Sequence, residues 1–264
     1  MTDNEINLPL LETVKRSFYF VFSRLSDCAK ASSFWFWLVF IEILLGYPSL
    51  SGSMDTAQNM IKLASSLLIS VASAGIGAEI CRSIIAKDNT FAYFKPVFTE
   101  RSLRYWGYNL LIVFMIIVPF VLLASLIFYG FGFELYSSGV LFILLVLSIS
   151  ACAMVGSRFY LLLPAQAMDD KTMSLKLSWR LTKGNAFKVF IGIVLMSIPG
   201  FLAAVILGTI SAMIPGFDSS NIWKILFTLL TLSISFFDAC AKASFLSHLY
   251  QYFTFYADKV SEAE

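Results

Sequence analysis

Three uncharged apolar runs constrain this chain more than any other feature. Leu110 to Phe128 (LLIVFMIIVPFVLLASLIF), Leu135 to Ser157 and Val189 to Phe217 hold no Asp, Glu, Lys or Arg over 19, 23 and 29 residues. At about 1.5 Å per helical residue, each can cross a hydrocarbon layer about 30 Å thick. Only 14% of the residues are charged, against about 25% in soluble domains. A water-soluble surface is out of reach, and the runs predict an all-α polytopic membrane protein.

Weaker stretches extend the pattern to six spans arranged as three hairpins. Ala31 to Tyr47 is apolar except for Glu42, and Leu63 to Ala78 lies between Lys62 and Glu79. Ile225 to Phe237 precedes Asp238 and Lys242, four apart on one helical face and able to neutralise each other. The expected organisation is one domain over 1–257, with spans at about 31–50, 61–82, 108–129, 137–159, 188–213 and 222–245. Residues 258–264 form a short polar tail that is expected to fray.

Charge placement orients the spans. Pro48 to Met60, Gly130 to Gly139 and Ile214 to Asn221 contain no Lys or Arg, whereas 17 of the 19 basic residues fall in the opposite segments. Short loops with this bias leave the basic side in the cytoplasm, so both termini are expected there. Trp35, Trp37, Tyr105, Trp106, Tyr108, Tyr160, Tyr250 and Tyr252 are expected at the basic interface. Tyr47, Tyr129, Tyr136 and Trp223 should mark the other one, because Trp and Tyr combine an apolar body with a polar tip. The apolar burst Phe18 to Phe22 is too short for the core of a signal peptide, so insertion is expected to use the first span.

Cytoplasmic amphipathic segments are expected at about 8–28, 88–105 and 169–184, each preceding a hairpin, which gives a threefold repeat of hydropathy. In the first, Leu11, Val14, Phe18, Val21 and Leu25 fall on one helical face. In the third, Lys176, Arg180 and Lys183 form a basic stripe, a candidate lipid-headgroup or partner face. Asp169 or Asp170 could cap its start and Gly184 its end.

The stretch RFYLLLPAQAMDDKTMSLKLSWRLTKGNAFKVF, Arg158 to Phe190, combines an Arg-aromatic pair (Arg158, Phe159) with a turn at Leu161, Pro164 and Ala165. An acidic position, Asp169, follows, and then Ser174, Leu175, Ser178, Trp179, Leu181, Thr182 and Gly184. This pattern resembles the membrane domain fused to some glycerophosphoryl diester phosphodiesterases, and its small stand-alone inner-membrane relatives of unknown function. The resemblance covers about 33 residues and implies a bacterial inner-membrane bundle. It implies no phosphodiesterase activity, which belongs to a separate soluble domain. Read from the residues alone, Pro164 ends the fourth span, Arg158 reaches headgroups or carbonyls, and Trp179 anchors the following helix.

Catalytic groups are sparse. The chain has one histidine, His248, and no G-x-S-x-G, H-E-x-x-H or P-loop pattern, so no enzyme activity and no cofactor or metal are expected. Cys28, Cys81, Cys152 and Cys240 are isolated and read as free thiols. The candidate intramembrane polar residues are Glu42, the pair Glu79 and Arg82, Arg158, and the pair Asp238 and Lys242. Ser66, Ser70, Ala74 and Ala78, and likewise Gly200, Ala204 and Gly208, recur every four residues and read as close-packing faces. The expected partners are the bilayer with its anionic headgroups and a membrane-protein partner, with no nucleic acid. Two functions fit: a non-enzymatic envelope or lipid-associated scaffold, or a small-solute or ion transporter using Glu42. A polar cavity around Glu42 would favour transport, and a dry centre of small residues the scaffold.

Overall fold

In lipid a backbone amide finds no water, so an apolar run must close its own hydrogen bonds as a helix. The computed structural model describes residues 8–46, 56–88, 91–93, 98–131, 139–214 and 221–262, and among them no strand occurs. The helices are α1 (Leu10–Ser23), α2 (Leu25–Gly46), α3 (Thr56–Ile85), α4 (Glu100–Phe131), α5 (Gly139–Ser157), α6 (Leu162–Ala167), α7 (Leu175–Leu181), α8 (Ala186–Met213) and α9 (Asn221–Glu262). Five are long and apolar enough to cross a membrane: Met60–Ile85 of α3, Glu100–Tyr129 of α4, α5, α8, and Ile225–Tyr256 of α9. This is a multi-pass membrane protein. α2, in place of the expected first span, starts with Asp27 and Lys30 paired at 3.2 Å; positions 47–50 of that span lie outside the described residues.

Helices α2 and α3, α4 and α5, and α8 and α9 pack as neighbours, and α3 also touches α4 and α9. Burial is concentrated where the basic residues collect. In α3 most residues from Val71 to Ile84 are buried while Met60 to Leu68 are largely exposed, and in α9 the buried stretch runs from Cys240 to Phe253. Helix α6 supplies Leu162, Leu163, Ala165 and Ala167 to that core, wedged between α3, α4 and α9. A helical turn this short holds its place through burial of its side chains rather than through its own hydrogen bonds.

Several expectations change. α1 packs on α8 and α9 through Thr13, Ser17 and Val21, with Val14 and Phe18 partly buried beside them; of the predicted apolar stripe, Leu11 and, at the start of α2, Leu25 are exposed, so the buried face is shifted toward Thr13 and Ser17. Thr13 and Ser17 turn their hydroxyls back onto the carbonyls of Pro9 and Thr13, which satisfies them and permits close approach. The second amphipathic segment is not a separate helix among the described residues: 91–93 are non-helical and Glu100 to Tyr105 are the first turns of α4. α9 continues through the expected polar tail to Glu262. α5 ends at Ser157, and Pro164 lies inside α6 instead of ending the fourth span.

The small-residue faces are also only partly used. Gly200 meets the side chain of Asp238, but a methyl group added at Gly208 would touch nothing within 4 Å and Ala204 is exposed. Trp35, Tyr105 and Tyr250 are buried in the core rather than placed as headgroup anchors.

Candidate functional site

A cavity of about 580 Å³ lies between α2, α3, α4, α8 and α9, where the packed half of the bundle gives way to the open half. α2 contributes Trp35 and Glu42, seven residues apart and so on one face. α3 contributes Ser66, Ser70, Ser73 and Gly77, whose spacing spreads along about 16 Å of helix. Asn109 comes from α4 and Lys242 from α9, while Tyr160 and Leu163 line it at the basic end. Tyr105 crosses the backbone of Gly77 so closely that a Cβ there would stand 2.8 Å from the phenol oxygen.

The polar side chains of this cavity are less engaged with the protein than those elsewhere in the bundle. Elsewhere in the bundle, hydroxyls bond the carbonyl one turn back: Ser125 to Val121, Ser148 to Leu144, Ser197 to Ile193, Ser233 to Leu229 and Ser235 to Thr231. Ser66, Ser73 and Asn109 make no hydrogen bond among the described residues. Ser70 accepts from Trp106 Nε1 at 2.9 Å. Ser65 Oγ stands 2.7 Å from Glu42 Oε1 and 2.9 Å from the carbonyl of Lys62, so one hydroxyl proton serves two acceptors. Ser66 is exposed and Ser73 and Asn109 are half-buried, so these groups open onto the cavity, while Trp35 Nε1 is buried there without a hydrogen-bond partner among the described residues.

Asp238 and Lys242 form the expected pair at 2.6 Å, and Lys242 lines the cavity. Arg82 pairs instead with Asp88 at 2.9 Å, six residues along the chain, and Glu79 lies half-buried one turn before it. Glu42 and Lys242 are thus brought to one cavity, while Arg82 and Arg158 serve other contacts.

At the basic end the stretch Arg158 to Gly184 folds into an elbow whose residues account for one another. Arg158 Nη2 donates to the Trp179 carbonyl at 2.6 Å, with its guanidinium carbon 3.5 Å from the centre of the indole ring. Phe159 packs on the same ring at 5.5 Å. Ser178 Oγ donates to the Arg158 carbonyl at 2.6 Å, and Thr182 Oγ1 to the Ser178 carbonyl at 2.8 Å. The cap of α7 is Ser174, accepting from Leu177 N at 3.2 Å, not Asp169 or Asp170. Gly184 takes the left-handed conformation expected of it (φ 79°). Lys176, Arg180 and Lys183 remain exposed, opposite the buried Ser178.

Asp170 accepts from Thr172 Oγ1 at 2.6 Å, from Thr172 N at 2.8 Å and from the Tyr250 hydroxyl. Burial pushes this carboxyl up, but those hydrogen bonds outweigh it and hold it below the usual value. Asp169 occupies a left-handed position (φ 57°) and meets Arg101 Nε and Arg104 Nη1.

Sequence reasoning missed Ser66, Ser70 and Ser73 as cavity residues, because their spacing suits packing equally well. Asn109, an amide opening an apolar run, was the available signal. Compared with family models, curated proteins and solved structures, the chain matches none of them.

Proposed function

We propose that this protein is a bacterial inner-membrane carrier of small polar solutes or ions, working through the cavity at Glu42 without enzymatic chemistry. The proposed threading has six spans, with α2 as the first and both termini in the cytoplasm, as the distribution of Lys and Arg implies. The resemblance of Arg158 to Phe190 to stand-alone inner-membrane relatives supports the compartment. Cysteine labelling at Ser51 and Ser219 should place both on the side opposite Lys183.

The observation that carries the function is a group of polar side chains that open onto one cavity with Glu42: Ser66, Ser73 and Asn109, which make no side-chain hydrogen bond among the described residues, and the buried, unpartnered Trp35 Nε1. About 580 Å³ is the scale of a small-molecule site. An intramembrane carboxylate facing such a cavity marks a cation or proton path. Pro119 and Pro199 lie inside α4 and α8, where a missing backbone hydrogen bond supplies a bending point.

Proteoliposomes loaded with a pH-sensitive dye test this directly, with swelling in small polyols as a second readout. Wild-type protein should carry flux above empty vesicles, and Glu42→Gln and Asn109→Leu should abolish it. Wild-type vesicles as tight as empty ones by both readouts would refute the proposal.

A second reading, the envelope or lipid-associated scaffold, rests on the exposed stripe Lys176, Arg180 and Lys183. It expects neutralisation of the three to release a membrane-protein partner or an anionic surface while flux is unchanged.

A further inference from the structure

A second cavity, of about 540 Å³, lies at the basic end, away from Glu42 and from the stripe on α7. It is lined by Thr99, Glu100, Arg101, Arg104, Asp169 and Lys171. Its cations come from two elements: Arg101 and Arg104 from the first turns of α4, and Lys171 from the turn after α6. Both arginines converge on one carboxylate, Asp169, with Arg104 Nη1 at 3.4 Å from Oδ1 and Arg101 Nε on Oδ2. Arg104 Nη2 also reaches Glu100 Oε1 at 3.1 Å.

The backbone shows why Asp169 stands there. Asp170 N bonds the Ala165 carbonyl at 2.9 Å and Asp169 N the Gln166 carbonyl at 3.3 Å, which is the Schellman closure of α6. That closure puts position 169 in the left-handed region, where glycine is the cheapest residue. An aspartate at this position accepts the less favourable backbone and sets its side chain as an internal anion for the two arginines. Donors are left over. Arg101 spends Nε on Asp169, its two terminal nitrogens have no partner among the described residues, and Lys171 makes no ion pair among them. A guanidinium offering two parallel donors matches two oxygens of one phosphate group.

The setting points to the same ligand. Arg101 and Arg104 lie in the first turns of α4, ahead of Trp106, Tyr108 and the uncharged run that starts at Leu110, the end of a span at which basic side chains meet lipid phosphates. We propose that Arg101, Arg104 and Lys171 form a phosphate-binding site for an anionic lipid headgroup, in which Asp169 is the resident competitor displaced on binding. The ligand class is a phosphate mono- or diester carrying net negative charge. Zwitterionic headgroups are disfavoured because they carry no net negative charge to offset the loss of the Asp169 carboxylate from the two arginines.

The test uses full-length protein in a neutral detergent, titrated with dihexanoyl phosphatidylglycerol, dihexanoyl phosphatidylcholine or inorganic phosphate while thermal unfolding is followed. Wild type should bind the glycerol lipid about tenfold more tightly than the choline lipid, with the preference falling as salt rises. Lys171→Gln should cut the preference several-fold; as it breaks no ion pair, it is expected to fold normally. Asp169→Gly, which suits the left-handed backbone and removes the competitor, should raise it. The triple change of Lys176, Arg180 and Lys183 to Gln should leave it in place. Stabilisation by inorganic phosphate equal to that by the glycerol lipid would assign the site to free phosphate instead. A preference untouched by Lys171→Gln and Asp169→Gly, or one that follows the α7 stripe, would overturn the proposal.

Discussion

Arg158 lies flat over Trp179, its guanidinium carbon 3.5 Å from the ring centre, while Nη2 of the same group donates to the Trp179 carbonyl at 2.6 Å. One side chain therefore fixes both the ring and the backbone of α7, twenty-one residues away. Replacing Arg158 by Lys keeps the charge but loses the planar stack and the fork. The expected loss is about 1–2 kcal/mol. A double-mutant cycle with Trp179→Ala, read by thermal unfolding in detergent, should return coupling of that order; no coupling would remove the elbow's central contact.

The crossing of α1, α8 and α9 depends on Gly192. A Cβ there would stand 2.1 Å from Phe245 Cζ and 2.9 Å from Leu10 Cδ1. Gly192→Ala should destabilise by about 1–3 kcal/mol, as overpacking does. Phe245→Leu in the same chain should recover part of that. Gly208→Ala in the same helix, with open space around it, should be neutral.

Asp238 and Lys242 should behave as a unit. Lys242→Met alone leaves Asp238 without its cation, at an expected cost of about 1–3 kcal/mol, moderated because the lysine side chain is 38% exposed. Joint replacement with Asp238→Leu should restore much of the stability. Equal instability of the single and double variants would show the charges to be independent.

Acid should weaken the link between the elbow and α9. The Asp170 carboxyl is held below its unfolded value, near 3.9. Its contribution is therefore full above about pH 4 and is lost as pH falls through the lower, folded value. Melting temperatures between pH 3 and 6 should fall less steeply for Asp170→Asn than for wild type. Tyr250→Phe should show the same flattening, since its hydroxyl is one of the donors.

Glu42 illustrates how far sequence could carry the cavity. Its place within an apolar run marked it as an expensive residue that needs a reason. Nothing local to it indicated that Ser66, Ser73 and Asn109 would share that reason, because their own spacings suit packing equally well. The small residues of α3 diverge in role along one face: Ser66 and Ser70 are exposed and line the cavity, Ala74 is buried at its edge, and Ala78 is buried beyond it. That division follows from where neighbouring helices separate.

Covalent order decided the class of molecule. Uncharged runs of 19, 23 and 29 residues must be helical and must avoid water, whatever surrounds them. The left-handed end after α7 was equally local, since a glycine at position 184 tolerates that backbone by itself. Tertiary structure decided what local chemistry leaves degenerate: which side of α1 is buried, whether Arg82 meets Glu79 or Asp88, and that Asp169 faces two arginines 65 or more residues away. Those outcomes depend on helix separation and rotation, set by side-chain volumes such as Phe245 against Gly192. Residue spacing within one helix does not encode those volumes.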